Sequence, residues 1–586
     1  MNRSLFIGAT ISVLMWVAAF HHASSDSKTL PESTENITKV DKKKPNIVWL
    51  VLEDMSPILP DYGDHTIETP TISSLAAQGV KYTNVFSTSG VCSPSRAALA
   101  MGMYPTSFGA NNMRTTSNTE ETGLPKYEAI PPSDAKMLSQ YMRENGYYTT
   151  NNLKTDYQFQ APKGAWDDSS PYAHWRNRPK DKPFFSVFNF TTTHESGLFE
   201  PYGFRKIESR YYFPDDADKI SKLPQHQLTK TSESETAVYL PQDTAFNIPP
   251  YLPDTPTVRR DMWKMYNNLA ETDKQMGALL QQLKDDGLYD NTIIVFYSDH
   301  GGPLPRQKRL IYDSGLKVPM IIRYPHAESA ATVDDQLISF VDFAPTTMAL
   351  AGIQIPAYIQ GRNFIHSKSP KRKYIHAAAD RFDGFTDAIR AVKDKRFKYI
   401  RNYRPEQGYY LPVTYREKIP TMQDLLRLRD EGKLNEYQSQ WFRKSKPKEE
   451  LFDTKNDPDE LHNLAGMSQY IEKVAELSTE MDRWLGDIGD TPNIPERQLI
   501  KNLWNGHDTQ PITQTPKVDI NGGIVTILSP TRGATIAYKI IDKGLEPLEW
   551  ELYKSPFFIE AGTKLKVVAH RIGFQESKIS IRTYEK

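Results

Sequence analysis

Polar side chains that can bind a metal ion or move a proton follow three short apolar runs of the sequence. The first run ends in Glu53 and Asp54, the second in His194, and the third in Asp299 and His300. Nearly continuous apolar runs of this length are typical of strands in a parallel sheet that is covered on both faces. In open α/β sheets, sites form beyond the carboxyl ends of the strands. We therefore expect the three strand ends to share one site.

Three carboxylates and one imidazole in this set predict a metal site, formed by Glu53, Asp54, Asp299 and His300. Because the set is rich in oxygen, it favours a hard divalent cation, and we expect calcium before zinc. The alternative is structural, since acids at strand ends also cap neighbouring helices and an Asp-His pair can form a hydrogen-bonded corner.

Cys92 is the only cysteine among 586 residues, so the chain can form no internal disulfide bond. An isolated cysteine is usually a small buried hydrophobic side chain. This one lies in the pattern C-x-P-x-R with Pro94 and Arg96, just before a helical pattern at residues 97–102. Average composition gives a cysteine both neighbours by chance on the order of once in 400 cases, so the pattern is specific.

With this pattern the sequence resembles the sulfatase family, in which a maturation enzyme converts the cysteine of C-x-P-x-R to formylglycine. The resemblance extends from residue 45 to about residue 465. The further matching motifs are the acidic pair, S-D-H-G at 298–301, Lys308 with Tyr312 and V-P at 318–319, and a closing signature between residues 451 and 465.

The resemblance implies a sulfuric ester hydrolase of the EC 3.1.6 class, with formylglycine (3-oxoalanine) made from Cys92 as the nucleophile. In its hydrated form this group has two hydroxyls on one carbon, so one can attack sulfur and the other can later expel sulfate. The metal ligands that the resemblance implies for Ca²⁺ are Glu53, Asp54, Cys92, Asp299 and His300.

The remaining catalytic roles also follow from the resemblance. Arg96 holds the nucleophilic hydroxyl near the metal. Lys154 and Lys308 bind the sulfate oxygens that gain charge in the transition state, and His194 donates a proton to the leaving alcohol.

One position departs from the family pattern. Many sulfatases have G-K-W-H where this chain has Leu153-Lys154-Thr155-Asp156, so Asp156 replaces a histidine. A carboxylate can accept the proton of the nucleophile, and we expect Asp156 to act as the base. The variant N-N-x-K-T-D-Y resembles a branch of bacterial polysaccharide sulfatases. It predicts a sulfated polysaccharide or oligosaccharide as substrate, such as ulvan or carrageenan.

Four further cationic or imidazole side chains are candidates for binding sugar carboxylates or additional sulfates through charge-assisted hydrogen bonds. They are Arg114, His174, Arg176 and Arg306. Each of them alone is also compatible with a purely structural role.

Charge and the N-terminal segment limit the partners. Lysine plus arginine (72) equals aspartate plus glutamate (72), so no global positive field attracts nucleic acid, and we expect no nucleic-acid partner. The apolar run at residues 5–20 predicts a signal peptide over residues 1–25, because it is too short to span a bilayer. An uncleaved anchor is the alternative. We expect a periplasmic or secreted protein with no membrane contact after cleavage, whose partners are the glycan substrate and the maturation enzyme.

Patterning along the chain predicts an α/β fold with several units. After a linker at 26–44, residues 45–370 are expected to form an alkaline-phosphatase-like domain, a central mixed sheet flanked by helices. Helical spacing runs from residue 262 to 283, and residues 199–256 are interpreted as an insertion. A smaller α+β subdomain is predicted at 371–490, with helices near 421–449 and 467–486. Residues 515–586 resemble the β-sandwich appended to some chitobiases, with sugar binding and packing support both open.

Two other functions remain open from the sequence. Relatives with the same fold and the same modified cysteine hydrolyse phosphate or phosphonate monoesters. A carbohydrate-binding protein whose cysteine is never converted is the second alternative.

Overall fold

The computed structural model describes residues 44–152, 154–203, 237–365, 370–542, 544–547 and 549–585. The predicted signal peptide and residues 26–43 of the predicted linker lie outside the described residues, as does the part of the predicted insertion at 204–236. None of the helices in the described ranges combines the length and the apolar character that crossing a membrane requires.

A mixed eight-stranded sheet forms the centre of the molecule. Its strands are β1 (Asn46–Leu52), β2 (Val80–Phe86), β3 (Tyr148–Asn152), β4 (Asp168–Ser170), β5 (Phe184–Phe190), β6 (Thr292–Ser298), β7 (Lys317–Arg323) and β8 (Thr332–Ser339). The spatial order is β4-β3-β5-β1-β6-β7-β2-β8. Strand β7 is antiparallel to both of its neighbours, and all other neighbouring pairs are parallel.

The three apolar runs predicted to end at one site are the adjacent parallel strands β5, β1 and β6. Every residue of these strands is buried. Alternate side chains of β1 enter two separate apolar clusters, with Val48, Leu50 and Leu52 in one and Ile47, Trp49 and Val51 in the other. The sheet is therefore covered on both faces, which explains why the runs are nearly continuously apolar, with Ser186 and Asn189 as buried polar exceptions within β5.

Helices cover both faces of this sheet and extend through the second subdomain. In chain order they are α1 (Pro70–Gln78), α2 (Cys92–Met101), α3 (Thr119–Thr122), α4 (Leu138–Glu144), α5 (Ser196–Phe199), α6 (Pro256–Asp285), α7 (Asp313–Leu316), α8 (Phe343–Leu350), α9 (Pro420–Asp430), α10 (Glu436–Ser439), α11 (Ile471–Ile488) and α12 (Glu496–Leu503). The predicted helix at 262–283 lies inside α6, which begins at Pro256 because the Thr255 hydroxyl accepts from the Val258 amide.

A second sheet of four antiparallel strands follows in the chain. It has the order β12-β11-β10-β9, with β9 (Ile375–Ala379), β10 (Ile389–Lys393), β11 (Phe397–Asn402) and β12 (Glu449–Asp453). The prediction of helix through 421–449 was wrong in its extent. Helix α9 ends at Asp430, and Gly432 then takes a positive φ of 65°, which is the usual way for a helix to end.

Two antiparallel sheets form the C-terminal module. One contains β13 (Lys517–Asn521), β14 (Ile524–Leu528) and β17 (Phe557–Phe558). The other contains β15 (Thr535–Ile541), β16 (Glu551–Leu552), β18 (Lys564–His570) and β19 (Ser580–Thr583). Both sheets contribute to a small apolar core.

The module is joined to the α/β domain by polar contacts. Gln140 donates to the Thr535 hydroxyl at 2.7 Å, Arg143 donates to the Trp550 carbonyl at 3.1 Å, and the Lys163 ammonium lies 2.9 Å from Glu576. Gly533 also touches the α/β domain, since a Cβ built on it would lie 1.6 Å from the Ser133 carbonyl oxygen. These contacts support the packing role among the two roles that the sequence left open.

Gly533→Ala is expected to loosen this interface. Gly533 has a φ of +78°, so alanine costs about 1 kcal/mol in backbone strain, and the overlap with Ser133 adds roughly 1–3 kcal/mol of overpacking. Gly562→Ala is the matched control, because Gly562 has a φ of +88° and nothing within 4 Å of its built Cβ. Limited proteolysis between α12 and β13 should be faster only in the Gly533 variant. Equal cleavage rates for both variants would contradict a docked module.

Candidate active site

The ends of β1, β5 and β6 are tied together by hydrogen bonds. The Asp54 amide donates to Asp299 Oδ1 at 3.0 Å, and the Glu195 amide donates to Asp54 Oδ2 at 2.7 Å. Thr193 Oγ1 donates to the Glu53 carbonyl at 2.6 Å. Asp54 itself has a φ of +52°, a strained conformation that turns the chain sharply where the strand ends.

Four of the predicted metal-ligand side chains converge at this edge. One ligand atom from each of Asp54, Cys92, Asp299 and His300 lies within 4.8 Å of the other three, and all four residues are buried. His300 Nε2 lies 3.0 Å from Asp54 Oδ1 and 3.4 Å from Cys92 Sγ. Glu53 belongs to an overlapping group with Cys92 and His194. Three of these five predicted ligands are carboxylates, so the donor set fits a hard cation.

Cys92 is the first residue of α2, all ten residues of which are buried. The Ser95 hydroxyl donates to the Asp299 carbonyl and so fixes the start of the helix to the end of β6. The amino end of a helix favours an anion. Burial raises the pKa of the Cys92 thiol well above its usual value, against the lowering effect of Lys308, so an unmodified thiol here is neutral and a poor nucleophile.

Gly90 lets the loop before Cys92 approach the segment that carries Lys308. The Gly90 carbonyl accepts from the Arg309 amide at 2.7 Å. A Cβ on Gly90 would lie 2.3 Å from the Leu310 carbonyl oxygen. The close approach of these two backbones therefore requires glycine.

The predicted cations Arg96, Lys154 and Lys308 surround the carboxylates. Arg96 Nε lies 3.0 Å from Asp299 Oδ2, and Lys308 Nζ lies 2.6 Å from Asp54 Oδ2. Lys154 forms an ion pair with Glu53. Burial by itself lowers the pKa of Lys308, but the carboxylates of Asp54 and Glu195 raise it above the usual value, so the ammonium stays charged.

Three charged residues that the sequence reasoning missed complete the network. Glu195 accepts from both terminal nitrogens of Arg309 at 2.8 and 2.9 Å and lies 3.1 Å from Lys308. Arg309 Nε also donates to Asp383 at 2.9 Å. Burial raises the pKa of Glu195, but Arg309 and Lys308 hold it well below its usual range. For two of the three the available signal was adjacency, since Glu195 follows His194 and Arg309 follows Lys308.

Asp156 lies beside the amino end of α2. Its Oδ1 accepts from Ser93 Oγ at 2.5 Å and lies 3.5 Å from an Arg114 nitrogen. Burial raises the pKa of Asp156, but Lys154, Arg114 and Ser93 together lower it below the usual value. Asp156 is therefore ionised at neutral pH and can accept a proton but not donate one.

The orientation of His194 is set by Ser196. The Ser196 amide lies 3.2 Å from His194 Nδ1 and donates to it, and Ser196 Oγ lies 2.8 Å from the same nitrogen. Because Nδ1 accepts the amide hydrogen, we assign the proton of the neutral ring to Nε2.

Three of the four predicted substrate-binding residues contact other parts of the protein. His174 is buried, with its ring centroid 4.0 Å from that of Trp175. Arg176 Nε lies 2.9 Å from Asp286. Arg306 donates to the Asp459 and Glu460 carbonyls and lies over the rings of Tyr251 and Tyr312. Their roles in binding sugar stay predictions, without support from these contacts.

Arg114, the fourth, lines an open pocket of about 780 Å³ next to the buried network. The wall of this pocket also contains Glu121, Arg309, Asp383, Tyr415 and Lys418. This volume lies within the roughly 300–1,000 Å³ that is usual for small-molecule sites.

Comparison with known proteins gives one consistent family. A family model described as Sulfatase matches residues 45–353, and a model described as N-sulphoglucosamine sulphohydrolase, C-terminal, matches residues 306–418. An ulvan-active sulfatase of Formosa agariphila is 59% identical over 582 residues, which cover 98% of this chain and 97% of the relative. Human N-sulphoglucosamine sulphohydrolase is 24% identical over 482 residues, which cover 76% of this chain and 90% of the relative.

Solved structures agree in fold. One, of a protein in complex with its substrate D-glucosamine-2-N,6-O-disulfate, matches with a TM-score of 0.51 and 19% identity, over 78% of this chain and 100% of that chain. A second, of a 2-O GAG sulfatase, matches with a TM-score of 0.52 and 18% identity, over 78% of this chain and 96% of that one. At this identity the likeness shows the fold alone.

Proposed function

Because the chain belongs to the sulfatase family and is thus a sulfuric ester hydrolase acting on sulfated polysaccharides, we propose that its substrate is ulvan or the oligosaccharides released from it. The observation that carries this proposal is the ulvan-active relative, which is 59% identical across 98% of the chain. We favour ulvan over carrageenan for that reason. The pocket beside the buried network is large enough to take a sugar residue as well as the sulfate.

We assign the nucleophile to formylglycine formed from Cys92. When present, this group supplies a hydroxyl that can attack sulfur and a second one that allows sulfate to be released. The neutral, buried thiol supports the need for such a change. Since Cys92 is only 1% exposed, a maturation enzyme has to reach it before the chain folds.

The metal that fits the site is calcium, held by Glu53, Asp54, Asp299 and His300 beside position 92. The convergence of Asp54, Asp299 and His300 beside Cys92, with ligand atoms within 4.8 Å of one another, supports this assignment, and Glu53 belongs to an overlapping group that shares Cys92. When bound, the cation neutralises sulfate oxygens and makes sulfur more electrophilic.

The side chains of the network bind and orient the sulfate ester. Lys154 and Lys308 would turn from Glu53 and Asp54 toward the sulfate oxygens, where charge grows in the transition state. Arg96, held by Asp299 and by Asn189 at 2.6 Å, fixes the hydroxyl at position 92.

Two side chains transfer protons during the reaction. Asp156, ionised beside Ser93, accepts the proton of the attacking hydroxyl. His194 donates a proton to the leaving sugar oxygen from its imidazolium form and so returns to the neutral ring. Base and acid are therefore separate residues.

Cys92→Ala is expected to lower kcat by at least about a thousandfold, because the nucleophile is lost, while the thermal midpoint changes little. Peptide mass spectrometry of the wild-type chain should show formylglycine at position 92. An unmodified cysteine together with glycan binding would instead indicate the carbohydrate-binding alternative. Full activity of the alanine variant would refute the assignment.

Asp299→Asn is expected to lose most of the bound divalent cation, because it removes one charged ligand from a small set. The measurement is the metal content of the purified variant by mass spectrometry. Asp290→Asn is the control, since Asp290 is an exposed acid paired with Arg323. Unchanged metal content in Asp299→Asn would place the ion elsewhere.

The substrate proposal is tested by comparing kcat/KM for ulvan oligosaccharides with that for 4-nitrophenyl sulfate. We expect the oligosaccharide value to be higher by about a hundredfold, because sugar contacts remote from sulfur contribute to transition-state binding. If the aryl sulfate is cleaved as efficiently as every glycan, the substrate proposal fails. Faster cleavage of 4-nitrophenyl phosphate would favour the phosphate monoester alternative.

A further inference from the structure

We propose that the pocket beside the catalytic network holds a second anionic group of the glycan, a carboxylate or another sulfate, between Arg114 and Lys418 with Tyr415 as the sugar platform. The proposal rests on the glycan sulfatase activity proposed above and names what else the enzyme recognises. The two anions share the chemistry that the pocket offers, and the experiment below separates them.

The pocket opens directly from the catalytic network. Arg309, in its wall, is the partner of Glu195, which contacts Lys308. The ring centroid of Tyr415 lies 6.4 Å from that of His194. A sugar whose leaving oxygen faces His194 therefore has its ring, or its neighbouring sugar, in this pocket.

Arg309 itself is already neutralised. Its guanidinium is buried, pairs with both oxygens of Glu195 and donates to Asp383. An incoming anion would have to displace these buried partners, which is costly. Arg309 thus connects the pocket with the catalytic network. The carboxylate of Asp383 is already paired with Arg309.

Arg114 retains most of its hydrogen-bonding capacity. Its side chain is 44% exposed, and its ion-pair contact is with Asp156 at 3.5 Å through one nitrogen. The Asp156 oxygen involved has a shorter bond from Ser93. The planar fork of the Arg114 guanidinium suits a carboxylate or a sulfate.

Lys418 supplies the second positive charge. Its ammonium lies 5.5 Å from the Tyr415 ring centroid and 5.8 Å from that of Phe199. In the described part of the chain no carboxylate pairs with it within 4.0 Å. The rings hold the ammonium at the wall of the pocket without neutralising its charge.

The remaining charges of the pocket restrict where an anion can bind. Asp383 is paired with Arg309, and Glu121 is exposed at the wall near Gly384. Glu121 would repel an anion placed on its side. The favourable position is therefore between Arg114 and Lys418, against the Tyr415 ring, which packs edge-on to Phe199 at 5.4 Å.

The test uses Lys418→Met, which keeps the stem of the side chain and removes its charge. We expect it to lower the ratio of kcat/KM for a sulfated uronic-acid disaccharide to kcat/KM for 4-nitrophenyl sulfate about tenfold, the scale of a lost charge-assisted hydrogen bond. Arg114→Gln should lower the same ratio. Lys455→Met, at an exposed lysine outside the pocket, is the matched control and should leave the ratio unchanged.

Two modified disaccharides identify the anion. If the Lys418→Met effect disappears when the uronic carboxyl group is reduced to an alcohol, the pocket binds a carboxylate. If it persists with a disulfated disaccharide that lacks a carboxylate, the pocket binds a second sulfate. An unchanged ratio in both variants, while the wild type still hydrolyses both substrates, would overturn this proposal alone. Failure of the wild type to cleave any sulfate ester would refute the activity itself.

Discussion

Charge compensation at the buried edge of the central sheet is the constraint on which the rest of the structure depends. Asp54, Asp299 and Glu195 are withdrawn from water, and they form buried ion pairs with Lys308, Arg96 and Arg309 respectively. Removing one partner of such a buried pair typically costs about 3–5 kcal/mol. The strand order, the glycine before Cys92 and the strained turn at Asp54 all serve to place these charges within contact distance.

The balance of the network also explains why the site favours an anion. Five cations (Arg96, Arg114, Lys154, Lys308 and Arg309) face six carboxylates (Glu53, Asp54, Asp156, Glu195, Asp299 and Asp383), so the network carries one net negative charge. A divalent cation added to it leaves it positive, in a place with little water to screen the charge. The amino end of α2 acts in the same direction. A sulfate ester thus completes the charge balance.

Local sequence was sufficient to predict the three strand ends and the cysteine motif. Each apolar run must end where its strand leaves the covered sheet, and the carboxyl ends of parallel neighbours meet at one edge. The pairs Glu195–Arg309 and Arg309–Asp383 were not predictable, because they join residues 114 and 74 positions apart. The mixed character of the sheet was predicted through the family resemblance, but local sequence does not identify β7 as the antiparallel strand, since pairing direction is decided by tertiary contacts.

The C-terminal module is linked to the same edge of the sheet by a chain of hydrogen bonds. Arg143 donates both to the module's Trp550 carbonyl and to Asp167, and Asp167 in turn accepts from the amide of Thr149 in β3. Strand β3 leads directly into Lys154 and Asp156. The module is therefore bonded to the segment that carries two catalytic candidates, which gives its attachment a reason even if it binds no sugar.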